Sequence, residues 1–214
     1  MLVYRLPEIF ARLSHHKDNL ELLVVGDGPD GDGLRAALAE KCPWLKGALP
    51  GLLPHSEVLK VLPTQDVLLM PSNFEGMPIA LIEAMAHGVV PIVSRLSGAT
   101  DRVVQHGLNG FLAEPSNVAA FGANLDSLIS DRELVQQCSQ RAWETVRDKF
   151  SVTRMAGQYL QLVEEVVVER AVGGVRRRSG EVCMGLLGDF PQVPRLLVRP
   201  LRVARRLVRN FTSA

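Results

Sequence analysis

The sequence predicts an α/β protein built on an open parallel sheet with helices on both faces. Over the first 170 residues, short and continuously apolar segments alternate with helical segments, which is typical of a parallel sheet that is buried on both sides. The chain has 214 residues, of which 47% are hydrophobic, and this is enough for one sizeable core. These two observations favour a single sheet domain over a bundle or a sandwich.

Three apolar segments predict strands, at residues 20–25, 66–70 and 89–93. The first ends in Gly-Asp-Gly-Pro, which is typical of a turn at the end of a strand. The other two are short and apolar enough to be buried. A parallel sheet with crossover helices follows from their alternation with the helical segments.

Six helices are predicted between and after these strands. The clearest covers residues 79–87, with Pro78 at its first position and Gly88 just past its end. A second begins with Ser56 as N-cap and stops at Pro63. The others cover residues 34–41, 117–130, 131–149 and 152–170.

Gly173-Gly174 marks the boundary between a domain of residues 1–172 and a tail of residues 173–214. The tail contains nine arginines and two acidic residues and carries a charge of +7, whereas the domain carries −6. An acidic body with a basic tail indicates two parts with different partners. We expect no nucleic acid among them.

Composition excludes several protein classes. The three cysteines, Cys42, Cys138 and Cys183, are far apart and have no histidines at ligand spacing, which argues against a disulfide framework or a zinc site. No apolar run approaches the length that spans a bilayer, and the N-terminus does not resemble a signal peptide. We expect a cytoplasmic protein.

The tail has two interpretations. Apolar residues and arginines follow the same helical spacing on opposite faces: Leu197, Leu201, Ala204, Val208 and Phe211 against Arg195, Arg199, Arg202, Arg206 and Arg209. A basic amphipathic helix would bind an anionic surface peripherally, on the inner membrane face. The alternative is an unstructured basic extension.

The segment Gly26–Gly31 matches the Gly-x-Gly-x-x-Gly pattern of dinucleotide-binding loops. Pro29 lies inside the motif, however, and residues 47–51 lack the acidic residue that would bind a ribose. We therefore predict a glycine-rich turn that lines a ligand site, without NAD. Asp30 and Asp32 are expected to be solvated rather than to bind a metal.

The strongest chemical pattern pairs Glu75, in a strand-to-helix loop, with Glu83, inside the following helix. The amides of Ile79 and Ala80 begin that helix and form an anion site between the two carboxylates. Two carboxylates can therefore contact different ends of one extended ligand. A capping role for Glu75 and a solvated Glu83 stay open as the alternative.

These residues resemble retaining GT-B glycosyltransferases of the family-4, or group 1, type. The resemblance covers roughly residues 5–170 and implies a Rossmann-like C-terminal domain that binds a nucleotide-sugar. Besides the two glutamates with seven residues between them, it rests on the segments 24–29, 71–72, 84–88, 98–104 and 107–112.

The resemblance also implies site roles. Glu83 would bind the donor ribose, Glu75 with the backbone of Gly76 and Met77 would hold the transferred sugar, and Ile79 and Ala80 would meet the diphosphate. Leu52 and Leu53 would lie against the base. No metal or other cofactor is expected. His15, His16, His55 and His87 are not expected to act as bases.

Two features depart from the family pattern. The family's phosphate-binding arginine and lysine lie on a first strand that precedes this sequence, and Arg5 and Lys17 do not match their context. The acceptor-binding domain is also absent. The sequence therefore predicts the donor-binding half of a retaining glycosyltransferase that acts on a glycoconjugate, as a fragment or with a separate acceptor-domain chain. The alternatives are a non-catalytic nucleotide-sugar-binding or membrane-associated remnant, or half of a nucleotide-sugar epimerase.

Overall fold

The computed structural model describes residues 3–172, and within them it confirms the α/β class with parallel strands. Five strands form: β1 (Glu21–Val25), β2 (Lys46–Gly51), β3 (Val67–Met70), β4 (Val90–Ser94) and β5 (Phe111–Ala113). Seven α-helices accompany them: α1 (Leu6–Phe10), α2 (Gly31–Lys41), α3 (His55–Val61), α4 (Ile79–Ala86), α5 (Val118–Ser130), α6 (Arg132–Lys149) and α7 (Val152–Val172). Short 3₁₀ helices cover Val3–Arg5, Ala11–His16, Leu62–Thr64 and Thr100–Arg102. The elements up to Gln161 belong to one compact unit.

The strands form two parallel sheets rather than the one continuous sheet that the sequence suggests. β1 pairs with β2, and β4 lies between β3 and β5. β1 and β3 do not pair with each other, and a cavity of about 700 Å³ is lined by residues of both strands. Each of these two strands therefore has one edge without a neighbouring strand.

Burial of the strands follows this arrangement. β4 has a neighbour on each side and is buried along its whole length, as predicted. The prediction that β3 is buried is wrong for most of its length, since only Met70 is buried and Val67–Leu69 are half-buried. The reason is that the open edge of β3 faces the cavity.

Several helices begin one residue away from their predicted start because the capping residues differ. α4 starts at Ile79, as predicted, but Pro78 is its N-cap (φ −76°, ψ 91°) and not its first residue. α3 starts at His55 after Pro54, which places Ser56 inside the helix instead of at the cap. In α5 and α6 the residue predicted to come first is the cap: the side chains of Asn117 and Asp131 accept bonds from the amides of Ala120 and Leu134, each at 3.0 Å.

A proline lies in the middle strand of the three-stranded sheet. The amide of Val90 donates to Asp66 O on the β3 side, and residues of a strand alternate in direction, so the nitrogen of Pro91 faces the β5 side. The residue opposite Pro91 on that side is Gly110, one residue before β5 begins. Pro91 therefore removes no bond of the ladder, which is the condition for a proline within a sheet.

Two apolar clusters hold α4 and the sheet in place. One packs α1 and α5 against β4, with Ile9, Ile92 and Phe121 fully buried. The other joins α4 and α6 through side chains that include Leu81 and Met85. The helix that begins the candidate site is thus fixed on its inner face, and only its outer face and N-terminus are open.

The predicted tail of residues 173–214 lies outside the described residues. Among the residues that the structure describes, none of the helices has both the length and the apolarity needed to cross a bilayer.

Candidate functional site

The candidate site lies where the chain leaves the carboxyl ends of the strands. Parallel strands end at one edge of a sheet, and open α/β sheets bind ligands there. Residues 26–31 follow β1, residues 52–54 follow β2 and residues 71–78 follow β3. A bond from the amide of Gly26 to Gly51 O (2.9 Å) joins the first two loops. A side-chain bond between His55 and Glu83 joins the second loop to α4.

Glu83 lies on α4 with about a quarter of its side chain exposed. Its Oε1 is 2.8 Å from Nε2 of His55, at the beginning of α3. The carboxylate is thus neither fully solvated nor buried among apolar groups. It is held in place by a neighbouring helix and stays accessible to a ligand.

Glu75 lies in the loop after β3 and is half-buried. The buried hydroxyl of Ser72 donates to Glu75 Oε1 over 2.6 Å. Because Ser72 follows β3 almost directly, this bond fixes the carboxylate relative to the sheet. Glu75 does not cap α4. The N-cap of that helix is Pro78, and no side chain makes a capping hydrogen bond to the helix start.

The N-terminus of α4 is open. The amides of Leu81 and Ile82 donate to Pro78 O, at 3.1 and 3.3 Å. Helix geometry leaves the two preceding amides, those of Ile79 and Ala80, without an intrahelical acceptor, and both residues are exposed. Donors at this position favour an anion.

Exposed backbone and apolar side chains surround this helix start. Gly76 and Met77 are exposed between Glu75 and α4, and Phe74 is 80% exposed beside them. Leu52 is 79% exposed and Leu53 is half-buried in the loop that follows β2. Large exposed apolar groups at a rim of backbone donors are typical of a ligand-binding surface.

The glycine-rich segment follows β1 as a turn, and Gly31 is the first residue of α2. Asp27 Oδ1 accepts the amide of Gly28 (2.8 Å), and Tyr4 donates to Asp30. Both acids therefore have partners within the protein, and Asp32 is exposed.

Among the described residues, one group of three side chains has the composition and proximity of a metal site: His15, His16 and Asp126. Hydrogen bonds from His15 and His16 lower the pKa of the Asp126 carboxyl. The group lies on the 3₁₀ helix before β1 and on α5, elements that supply none of the predicted site residues. Burial raises the pKa of the Cys42 and Cys138 thiols, which makes both unsuited to nucleophilic chemistry.

Sequence reasoning missed the two residues that hold the carboxylates. Ser72 could have been found, because Ser72-Asn-Phe-Glu75 has the Ser-x-x-Glu spacing in which the two side chains interact locally. His55 had no such local pattern, since its contact joins residues 28 positions apart. His87 lies at the end of α4, as predicted, with Nδ1 2.8 Å from Glu83 O.

The chain is similar to known glycosyltransferases. The family model described as glycosyl transferases group 1 matches residues 3–145. The chain is 29% identical over 160 residues to N-acetyl-alpha-D-glucosaminyl L-malate synthase of Bacillus anthracis, covering 75% of this chain and 41% of that protein. It is 31% identical over 157 residues to 2-deoxystreptamine glucosyltransferase of Streptomyces kanamyceticus, covering 73% of this chain and 40% of that protein.

Solved structures share the fold. A glycosyltransferase from Rickettsia africae superposes with a TM-score of 0.69 at 23% identity, over 77% of this chain and 44% of that one. The C-terminal domain of a group 1 family glycosyl transferase from Francisella tularensis superposes with a TM-score of 0.58 at 22% identity, over 68% of this chain and 78% of that one. The chain thus spans about two-fifths of the length of the curated relatives and most of an isolated C-terminal domain. It belongs to the glycosyl transferases group 1 family, with the Rossmann-like fold of one GT-B half.

Proposed function

We propose that this chain is the donor-binding part of a glycosyltransferase, which transfers a sugar from a nucleotide-sugar to a glycoconjugate acceptor with retention of configuration. The observation that supports the proposal most strongly is the open N-terminus of α4 with a positioned glutamate on each side. Glu75 is held by Ser72 and Glu83 by His55, while the amides of Ile79 and Ala80 have no intrahelical acceptor.

The donor would bind along α4 in a fixed order. The carboxylate of Glu83 accepts hydrogen bonds from the two ribose hydroxyls, and the amides of Ile79 and Ala80 donate hydrogen bonds to the diphosphate. The carboxylate of Glu75 and the backbone of Gly76 and Met77 hold hydroxyls of the sugar. The family resemblance assigns the base to Leu52 and Leu53, whose loop leads to His55 and its bond with Glu83.

Catalysis by this arrangement is a matter of charge and position. The anomeric carbon exchanges its bond to the diphosphate oxygen for a bond to an acceptor hydroxyl oxygen, whose proton passes to the departing diphosphate or to solvent. As the first bond breaks, negative charge grows on the diphosphate. Fixed backbone donors at a helix start stabilise that charge without reorganising during the reaction. Glu75 is the residue next to the sugar, and it fixes the position from which the sugar leaves. We propose that this step needs no metal.

The acceptor would be bound by a second domain that forms the other side of the cleft. The curated relatives are about two and a half times as long as the part that this chain matches. An acceptor domain, in the same or in a separate chain, therefore completes the cleft in our proposal.

Replacing Glu83 by glutamine should weaken nucleoside diphosphate binding roughly 10- to 150-fold, because hydrogen bonds to a charged group contribute about 1.5–3 kcal/mol. Calorimetric titration of UDP, GDP and ADP into the wild type identifies the base, and the same ligand is then titrated into the variant. Glu40→Gln, an exposed glutamate on α2, is the matched control and should bind like the wild type. Equal affinity of wild type and Glu83→Gln would remove the ribose role.

We further propose that residues 195–211 bind an anionic membrane surface, on the inner face of the cytoplasmic membrane. The support is their sequence alone, which contains six arginines, five of which oppose an apolar stripe. A peptide of residues 190–214 should gain helicity and co-sediment with anionic vesicles but not with neutral ones. Leu201→Ser with Val208→Ser should abolish binding as fully as the removal of three arginines. Binding that persists in the serine peptide would contradict an interfacial helix.

A further inference from the structure

Two successive histidines and an aspartate from another helix meet at one point of the surface. His15 Nε2 lies 2.7 Å from Asp126 Oδ1, and His16 Nε2 lies 2.9 Å from the same oxygen. The ligand atoms that the three side chains offer all lie within 4.8 Å of one another. The histidines end the 3₁₀ helix Ala11–His16, whereas Asp126 lies in α5, 110 positions beyond His16. The fold therefore brings the group together, and no local sequence pattern announces it.

The two imidazole rings converge although their residues are neighbours in the chain. Successive residues of a 3₁₀ helix point about 120° apart, so their side chains usually diverge. The rings of His15 and His16 instead have centroids 4.2 Å apart, with an angle of 42° between their planes. Both rings present Nε2, a nitrogen through which imidazole binds metals, to the same carboxylate oxygen. The three side chains thus already face one position.

The backbone that carries these side chains is anchored in the core. Leu13, just before the histidines, and Leu125, next to Asp126, are buried in the same apolar cluster. The two segments also approach closely at Gly122, where a Cβ would lie 3.4 Å from Arg12 Cδ. Gly122 lies one helical turn before Asp126 and therefore on the same face of α5. Packed elements set the position of the group, as a preorganised binding site requires.

The donor atoms indicate which class of ion fits. Two imidazole nitrogens favour zinc and other transition metals over magnesium and calcium, which prefer oxygen ligands. In a tetrahedral zinc site with bonds of about 2.0–2.1 Å, neighbouring ligand atoms lie about 3.3 Å apart. The two Nε2–Oδ1 distances would therefore grow by about 0.5 Å on binding. Small rotations of the side chains are enough, because those of His15 and Asp126 are 60% and 43% exposed.

We propose that His15, His16 and Asp126 bind a divalent transition-metal ion of the zinc type. The ion takes the place of the two hydrogen bonds between the imidazoles and the carboxylate, and water completes its coordination. It joins the 3₁₀ helix to α5 and stabilises the contact between them. Neither element supplies a donor-binding residue, so the ion takes no part in sugar transfer and the inference does not rest on the proposed function.

The test titrates zinc chloride alone into the 214-residue chain by calorimetry. We expect one ion per chain and no competition from an excess of magnesium. Asp126→Asn keeps the size of the side chain and removes its charge, and His15→Gln removes a ring nitrogen from an exposed position. Each should weaken zinc binding about tenfold or more, because even the loss of an outer-shell partner costs about 10- to 100-fold. His87→Gln, which removes an exposed histidine at the end of α4, is the matched control and should bind zinc like the wild type.

Amide exchange of the wild type is a second readout that needs no variant. Zinc should slow exchange at residues 11–18 and 122–130 and leave residues 74–83 unchanged. Equal zinc affinity of the wild type and Asp126→Asn, protection at other residues only, or the absence of saturable zinc binding would overturn the proposal and leave a hydrogen-bonded contact. Nucleotide binding enters neither readout, so a failure here is distinct from a failure of the proposed function.

Discussion

The isolated 214-residue chain is expected to transfer sugar at least about 10⁵-fold more slowly than a full-length group 1 glycosyltransferase, even with its correct donor. Holding two reactants in the geometry of reaction contributes about 7–11 kcal/mol, which corresponds to factors of about 10⁵ to 10⁸. In the described residues, the donor groups lie on one surface, formed by α4 and the loops after β2 and β3. None of the residues that we assign to the donor would also hold an acceptor.

The measurement is product formation from a radiolabelled nucleotide-sugar with a mixture of glycoconjugate acceptors. Donor hydrolysis is followed in parallel, because a donor that is bound without an acceptor can transfer its sugar to water. Adding an acceptor-domain polypeptide should raise transfer and leave binding unchanged. Sustained turnover by the chain alone, at an ordinary rate of about 1 s⁻¹ or more, would contradict the proposal that the active site needs a separate acceptor domain.

A methyl group at Gly110 should destabilise the fold by about 2–6 kcal/mol. A Cβ built there would lie 2.5 Å from Pro91 Cγ and 2.7 Å from Pro91 O. Pro91 is part of the middle strand and cannot move without disturbing β3. The φ of Gly110, +155°, adds backbone strain for any other residue. Overpacking costs about 1–3 kcal/mol and strained backbone about the same.

Urea unfolding of Gly110→Ala and the wild type gives the difference in free energy. Gly33→Ala in α2 is the matched control, because a Cβ there meets nothing within 4 Å. This control should be more stable than the wild type by about 0.5–1 kcal/mol, since alanine has the higher helix propensity. A Gly110→Ala protein within about 0.5 kcal/mol of the wild type would show that the β4–β5 contact is looser than described.

Local patterns predicted most of the secondary structure. The strands β1, β3 and β4 could be predicted because each is a continuous apolar run, and the long helices after β5 because of their composition, although Asn117 and Asp131 are caps and not first helical residues. β2 and β5 were not recognised. β2 contains two glycines and a proline, and β5 has only three residues, so neither shows a strand pattern of its own.

The separation of the sheet could not be predicted from local patterns, because it depends on which strands are neighbours. The half-burial of Val67–Leu69 has the same origin. In the site, Glu75 and Glu83 followed from their spacing and from the resemblance, and Ser72 was within reach of the same reasoning. His55 was not, because its bond to Glu83 is formed only when α3 and α4 come together.

In our proposal, a nucleotide-sugar donor binds along α4, between Glu83 and Glu75. Amide exchange with and without the nucleoside diphosphate that binds most tightly tests it most directly, since each residue range is read separately. We expect slower exchange at residues 74–83 and 51–56 in the wild type, and loss of this protection in Glu83→Gln at the same ligand concentration. Protection confined to residues 26–31, or equal protection of wild type and variant, would contradict it.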